Sequence, residues 1–205
     1  MSSVLPAAPL FGDPLPVSAS PAVLDFLARR RSASALTLSA PGPDADQLAD
    51  LLRVAARVPD HGKLAPWRFI VADGEDKAAL TGRLEAAIAG RPDAAKLTAK
   101  LGKLKVPPTA VFVVFSPKAG EIPVWEQQLS AGAVCVNLLY AAGAMGLGAN
   151  WITDWYSYDA EAMAIIGLGE GESLAGVILI GQAQEPPAER VRPHVEGLVT
   201  RWTAG

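Results

Sequence analysis

The chain has 205 residues, half of them hydrophobic, and 18 Lys and Arg against 21 Asp and Glu give a formal net charge of −3. That length suits one domain, or one domain with tails, and the weak negative charge gives no global attraction to nucleic acid or to an anionic membrane surface. One cysteine, Cys135, and two histidines, His61 and His194, exclude an intrachain disulfide, a cysteine metal site and a histidine cluster, so no metal is expected and the lone thiol fits a reducing cytoplasm.

Residues 1–19 lack the basic start of a secretory signal and are broken by Pro6, Pro9, Pro14 and Pro16. They read as a flexible or extended arm ahead of a domain covering 20–205. Ser20-Pro21 is a helix start, with a capping hydroxyl followed by proline at the first helical position. The helix carries Val23, Leu24, Phe26 and Leu27 and runs into Arg29–Arg31. Asp44 caps a second helix with Gln47 as its reciprocal partner, and Pro59 stops it. Trp67–Ala72 reads as a strand ended by Asp73-Gly74. Residues 75–104 read as one or two helices broken near Gly90–Pro92. Ala110–Phe115 is almost wholly apolar and therefore predicted to be central in a sheet.

Gln127 through Thr153 contains no charged residue, long enough to invite a membrane reading. Gln127, Gln128, Ser130, Asn137 and Asn150, recurrent glycines and the lack of flanking basic clusters argue instead for a long helix buried on all sides, ending near Gly146–Gly148. A short strand around Asn150–Thr153, a helix at Asp159–Ile166 and a buried strand at Leu174–Gly181 follow. The proline-punctuated tail from Pro186 is predicted to be extended, with a helical turn near Val195–Val199. This order predicts an α+β fold with helices on both faces of a small sheet. There is no glycine-rich dinucleotide fingerprint and no phosphate loop.

Arg29–Arg31 with Ser32, Arg57, and Arg190 with Arg192 are candidate phosphate contacts, because guanidinium groups and a hydroxyl match phosphate oxygens. Arginines at a helix C-terminus also answer the helix dipole, so a solvated surface charge is the competing reading. The segment Arg57–Phe69 joins a helix to a strand through two prolines and a glycine. His61 in it is a candidate proton donor or hydrogen-bonding contact, or simply a turn cap.

Arg30-Arg31-Ser32-Ala33-Ser34, the loop PDHGKLAPWRF at 59–69, Trp125-Glu126-Gln127 with Ser130-Ala131-Gly132, and Gly146-Leu147-Gly148-Ala149-Asn150-Trp151 occur in one order. Together, from about residue 20 to 203, they resemble the nitroreductase family, and within it the small single-domain bacterial NAD(P)H nitroreductases. The resemblance implies an α/β/α sandwich with a small mixed, mainly antiparallel sheet, a long buried core helix and an interlocked homodimer with FMN between chains. It implies FMN contacts at Arg30, Arg31 and Ser32, at Arg57 and His61, at Trp151, Ile152 and Thr153, and at Arg190 or Arg192. It also implies a nicotinamide-binding stretch at Ala141, Ala142, Gly143, Ala144, Met145 and Gly146. The implied activity is ping-pong hydride transfer from NAD(P)H to a nitroaromatic, quinone or similar electron-poor acceptor. The flavin carries that chemistry, so no catalytic side chain is required. Alternatives on the same scaffold are an enone reductase, a dehalogenase, a flavin-cleaving enzyme, or a protein that only stores or senses FMN. Two departures are Ala65, where many relatives have glutamine, and Ser34, where larger ones often have lysine.

Overall fold

A computed structural model describes residues 3–204. Its first helix, α1 (Pro21–Arg29), starts where the Ser20 hydroxyl accepts from Val23 N–H at 3.4 Å. In α2 (Ala45–Ala55) the Asp44 carboxylate accepts from Gln47 N–H at 2.8 Å, and the Gln47 amide oxygen accepts from Asp44 N–H at 3.0 Å. Residues 75–104 form two helices, α3 (Gly74–Ile88) and α4 (Ala94–Lys105), parted at Gly90-Arg91-Pro92. The long helix α5 (Val124–Ala144) ends before Gly146, whose φ of +77° no side-chain-bearing residue adopts cheaply. In α6 (Ala160–Ile166) Asp159 is the N-cap and Gly167, at φ +104°, the stop.

Five strands form the sheet: β1 (Leu38–Ser39), β2 (Trp67–Asp73), β3 (Thr109–Phe115), β4 (Gly148–Ile152) and β5 (Ser173–Ala183). β3 lies between β2 and β5, and β5 also pairs with β1 and β4. Every pairing is antiparallel, so the mixed character expected of the sheet is not found among the described residues. Every residue of β3 is buried, as its apolar run predicts. Its side chains alternate: Ala110 and Phe112 join a core under α3, α4 and α6, whereas Val111 and Val113 join a second core under α2 and α5. This is the α/β/α sandwich.

One expectation is corrected, and the arm gains an anchor. α5 is not buried on all sides: Val124, Trp125 and Leu129 are 52%, 61% and 64% exposed. The arm is tied down at its start, because Ser3 Oγ and the N–H groups of Val4 and Leu5 all donate to the buried carboxylate of Asp50, and Arg53 donates to Pro6 O at 2.8 Å. These bonds hold the Asp50 carboxyl below its ordinary value although burial opposes them. Among the described residues no helix is long and apolar enough to cross a membrane.

An ion pair closes the turn into β5. The Arg68 guanidinium donates to Glu172 Oε1 at 2.8 Å and to Gly167 O at 2.8 Å, and Glu172 also accepts from Gly169 N–H at 2.7 Å. The Arg68 hydrogen bond is the main cause holding the Glu172 carboxyl at about 2, below its usual 4.5. A depressed carboxyl stabilises the fold above its unfolded value and loses that contribution as pH falls from about 4.5 to 2. Arg68 is 41% exposed, so solvent screening discounts the full linkage value, and Glu172→Gln should cost about 2 kcal/mol at pH 7. Urea unfolding at several pH values checks this. The gap between wild type and variant should be constant down to about pH 5 and close towards pH 2.

Candidate functional site

The Arg30–Ser32 segment leaves α1 and is fastened to β4. Ala33 N–H donates to Ala149 O at 3.1 Å, and the Asn150 amide donates to Ala33 O. Arg30, Arg31 and Ser32 are half-buried. The two arginines line a cavity of about 210 Å³ whose far wall includes Gly143, Gly146 and Ala149. Gly143 has a packing reason: a side chain there would press on the Phe26 ring, 3.1 Å away. Arg30 makes one side-chain bond, to Ser32 Oγ at 3.3 Å. Arg31 instead donates to Ala188 O at 2.9 Å and faces Glu189 at 3.6 Å, while Arg192 pairs with Glu189 at 3.1 Å. Glu189 is held below its ordinary value first by the Arg190 N–H and then by Arg192 and Arg31. The tail thus brings Arg190 and Arg192 to the Arg31 side of the cavity. Arg30 has no carboxylate partner among the described residues.

Trp151 and Ile152 lie on β4, and Thr153 follows it, exposed. Trp151 is opposite Ile178, and its indole reaches diagonally across Gly176 of β5. Gly176 gave no signal in the sequence, although it is the residue that lets the indole lie against the sheet.

In the stretch 141–146, expected to meet nicotinamide, Ala141 and Ala142 are buried in the core on the α5 side of the sheet, whereas Gly143, Ala144 and Gly146 are exposed. Only the second group, with half-buried Met145, is open to a ligand.

Arg57 and His61 sit elsewhere, along α5 between its first turn and Asn137. Ser130 Oγ donates to Pro59 O at 2.6 Å, and the Asn137 amide donates to Val54 O at 3.3 Å and Arg57 O at 3.1 Å. His61 Nδ1 lies 2.7 Å from Glu126 Oε2. Glu126 in the first turn of α5 and the polar Ser130 and Asn137 further along thus hold this loop, and all three were missed as site residues because their partners are remote in sequence. The loop itself is unusual: Gly62, Lys63 and Ala65 have φ of +76°, +55° and +45°. Ala65 is fixed there by its N–H bond to Asp60 Oδ2 at 2.8 Å. Arg57 is exposed and borders a cavity of about 310 Å³ closed by Leu5, Pro6, Pro9 and Leu15 of the arm.

Two half-sites result. Glu126 and Gly143 are 17 residues apart on α5, or about 25 Å along the axis. Asn137, which holds Arg57, is only six residues from Gly143, or about 9 Å, so of this pair it is His61 that lies far from the Arg30 cavity. Cys135 is buried, which pushes its thiol up to about 12 and keeps it protonated at neutral pH. No group of His, Cys, Asp and Glu suited to a metal occurs among the described residues.

Comparison with known proteins places this arrangement. The Nitroreductase family model matches residues 27–182. "Putative NAD(P)H nitroreductase YdjA" of Escherichia coli is 32% identical over 163 residues, covering 78% of this chain and 88% of that protein. A nitroreductase-like family protein from Bacillus cereus superposes with a TM-score of 0.79 at 21% identity, covering 91% of this chain and 98% of the other. A nitroreductase with bound FMN from Bacteroides fragilis does so with a TM-score of 0.67 at 22% identity, over 90% and 100%. With the matched segment spanning most of the sandwich, the chain belongs to the Nitroreductase family.

Proposed function

We propose that this chain is an FMN-dependent NAD(P)H oxidoreductase working as a homodimer in the cytoplasm. The observation that carries the reading is the Arg30 guanidinium, half-buried beside Ser32 at a small cavity and without a carboxylate partner among the described residues. The donor set fits the FMN phosphate: Arg30 with Ser32 on one side, and Arg31, Arg190 and Arg192 of the tail on the other. Trp151–Thr153 then run along the flavin edge, and the Gly143–Gly146 end of α5 meets the nicotinamide. FMN when bound supplies the hydride chemistry between NAD(P)H and an electron-poor acceptor such as a nitroaromatic or quinone. One cleft serves donor and acceptor in turn, which makes turnover ping-pong.

The homodimer is supported by the distance along α5 between Glu126, which holds His61, and Gly143 at the Arg30 cavity. The Arg57–His61 half of one copy complements the Arg30–Ser32 half of the other, so that each flavin is held by two chains. The exposed stripe at Val124, Trp125 and Leu129 and the exposed apolar residues of the tail supply the faces that a second copy would cover. The chain exposes 12453 Å², whereas a compact monomer of its mass exposes about 9,100 Å².

The purified protein should be yellow, with close to one FMN released per chain on denaturation. Arg30→Ala should weaken FMN binding by about 1.5–3 kcal/mol, or roughly ten- to a hundredfold, with the fold retained. Fluorescence titration with FMN and circular dichroism measure the two parts. A colourless wild type that takes up no added FMN overturns the reading.

A further inference from the structure

We propose that His61 is a proton donor to the electron acceptor and that Glu126 is the residue that positions it. The inference rests on the oxidoreductase reading above but goes beyond it, since a bound flavin supplies hydride and leaves the accompanying proton unassigned.

Four observations converge on this pair. The His61 ring is 64% exposed and the Glu126 side chain 29%, so the imidazole reaches solvent while its partner is sheltered. The contact joins Nδ1 to Oε2 at 2.7 Å, leaving Nε2 without a partner among the described residues. Glu126 stands in the first turn of α5, where the helix dipole favours a carboxylate. The segment bearing His61 is held by Ser130 and Asn137 from the same helix, and its backbone departs from ordinary conformations at Gly62, Lys63 and Ala65. Positive φ at two residues with side chains costs free energy, and such strain collects where a functional group must be held in place. The neighbouring carboxylate, Asp60, is turned away to Ala65 N–H, and Lys63 carries the nearest cation in sequence.

A carboxylate on Nδ1 fixes the tautomer. Neutral His61 keeps its proton on Nδ1, and the imidazolium carries its second proton on Nε2, towards the solvent side. In quinone reduction, two electrons and one proton arrive as hydride, originally from NAD(P)H. Imidazolium Nε2–H gives its proton to a quinone oxygen, the N–H bond breaks, and an O–H bond forms. His61 is left as the neutral Nδ1–H form already bonded to Glu126, with no ring flip, and water restores the lost proton. In nitro reduction the same donation completes loss of water from the first two-electron step.

The test separates acceptors that need a proton from one that does not. Ferricyanide accepts single electrons without protonation, so the ratio of quinone to ferricyanide turnover isolates the proton. His61→Gln should lower that ratio by about a hundredfold, and Glu126→Ala by roughly tenfold. Glu126→Gln keeps an acceptor oxygen but no charge and should fall between Glu126→Ala and wild type. Independently of activity, long-range ¹H–¹⁵N spectra should show neutral His61 as the Nδ1–H form in wild type and as a mixture in Glu126→Ala. Variants that bind FMN and reduce ferricyanide but leave the ratio unchanged overturn this proposal alone. A wild type dominated by the Nε2–H form also overturns it. A wild type that takes up no FMN overturns the oxidoreductase reading and this proposal with it.

Discussion

Removal of residues 186–205 is expected to abolish dimerisation and to weaken FMN binding by at least about a hundredfold. Every described residue from Ala183 onward is exposed on the single chain, including Val191 at 95%, Leu198 at 70% and Trp202 at 87%. Large apolar side chains at such spacing gain roughly 1.5–3 kcal/mol each when buried and nothing while they remain in water. In the proposed dimer the second copy would offer apolar surface to them, in the exposed stripe of α5 and in the apolar groove of about 620 Å³ lined by Val23, Phe26, Leu27, Tyr140 and Met145. Light scattering at micromolar concentration should give a dimer for the intact chain and a monomer for the truncated one. Truncation also deletes Arg190 and Arg192, so the double variant Leu198→Ser with Trp202→Ser separates the two roles. It keeps the arginines and should still lose the dimer. If both proteins remain dimeric, the tail does not hold the copies together.

Gly176→Ala is expected to displace the Trp151 indole and to cost about 3 kcal/mol of stability. The added carbon would fall against indole Cδ1 and Cε2, well inside contact distance. The ring cannot slide along the sheet, because β4 is locked to β5 in register from Gly148 opposite Gly181 to Ile152 opposite Val177. Backbone adjustment is also restricted, because β3 pairs with the same stretch of β5 and shifts register just beside Gly176. Trp151 must therefore leave its rotamer, and the flavin edge proposed for residues 151–153 moves with it. Tryptophan fluorescence should shift towards that of a solvated indole, urea unfolding should move to lower midpoint, and FMN affinity should fall. An unchanged emission spectrum and midpoint would show that the indole does not need the space above Gly176.

The sequence alone determined what depends on neighbours a few residues away. Ser20-Pro21 and the Asp44–Gln47 pair set the starts of α1 and α2 because a cap satisfies N–H groups within the same turn. The break at Gly90–Pro92, the stop before Gly146 and the apolar run Ala110–Phe115 of β3 are local in the same sense. The four motifs in register also identified the family and named the arginines at the Arg30 cavity. Only the tertiary structure decided the rest. β1 has two residues, too few for periodicity to register, and exists because β5 offers Gln182 and Ala183 as partners. The clasp on the Arg57–His61 loop links positions 65 to 83 residues apart, through Glu126, Ser130 and Asn137. In the sequence Asn137 was only a polar interruption of an apolar helix, and Glu126 and Ser130 were parts of a motif with no partner assigned. The arm gave the same lesson: its prolines predicted an extended chain, but its anchorage comes from Asp50, a carboxylate that α2 buries beneath it. Local hydrogen-bond chemistry and apolar period are written in a short window of sequence, whereas the partner of a buried or strained polar group is set by which elements the core brings together.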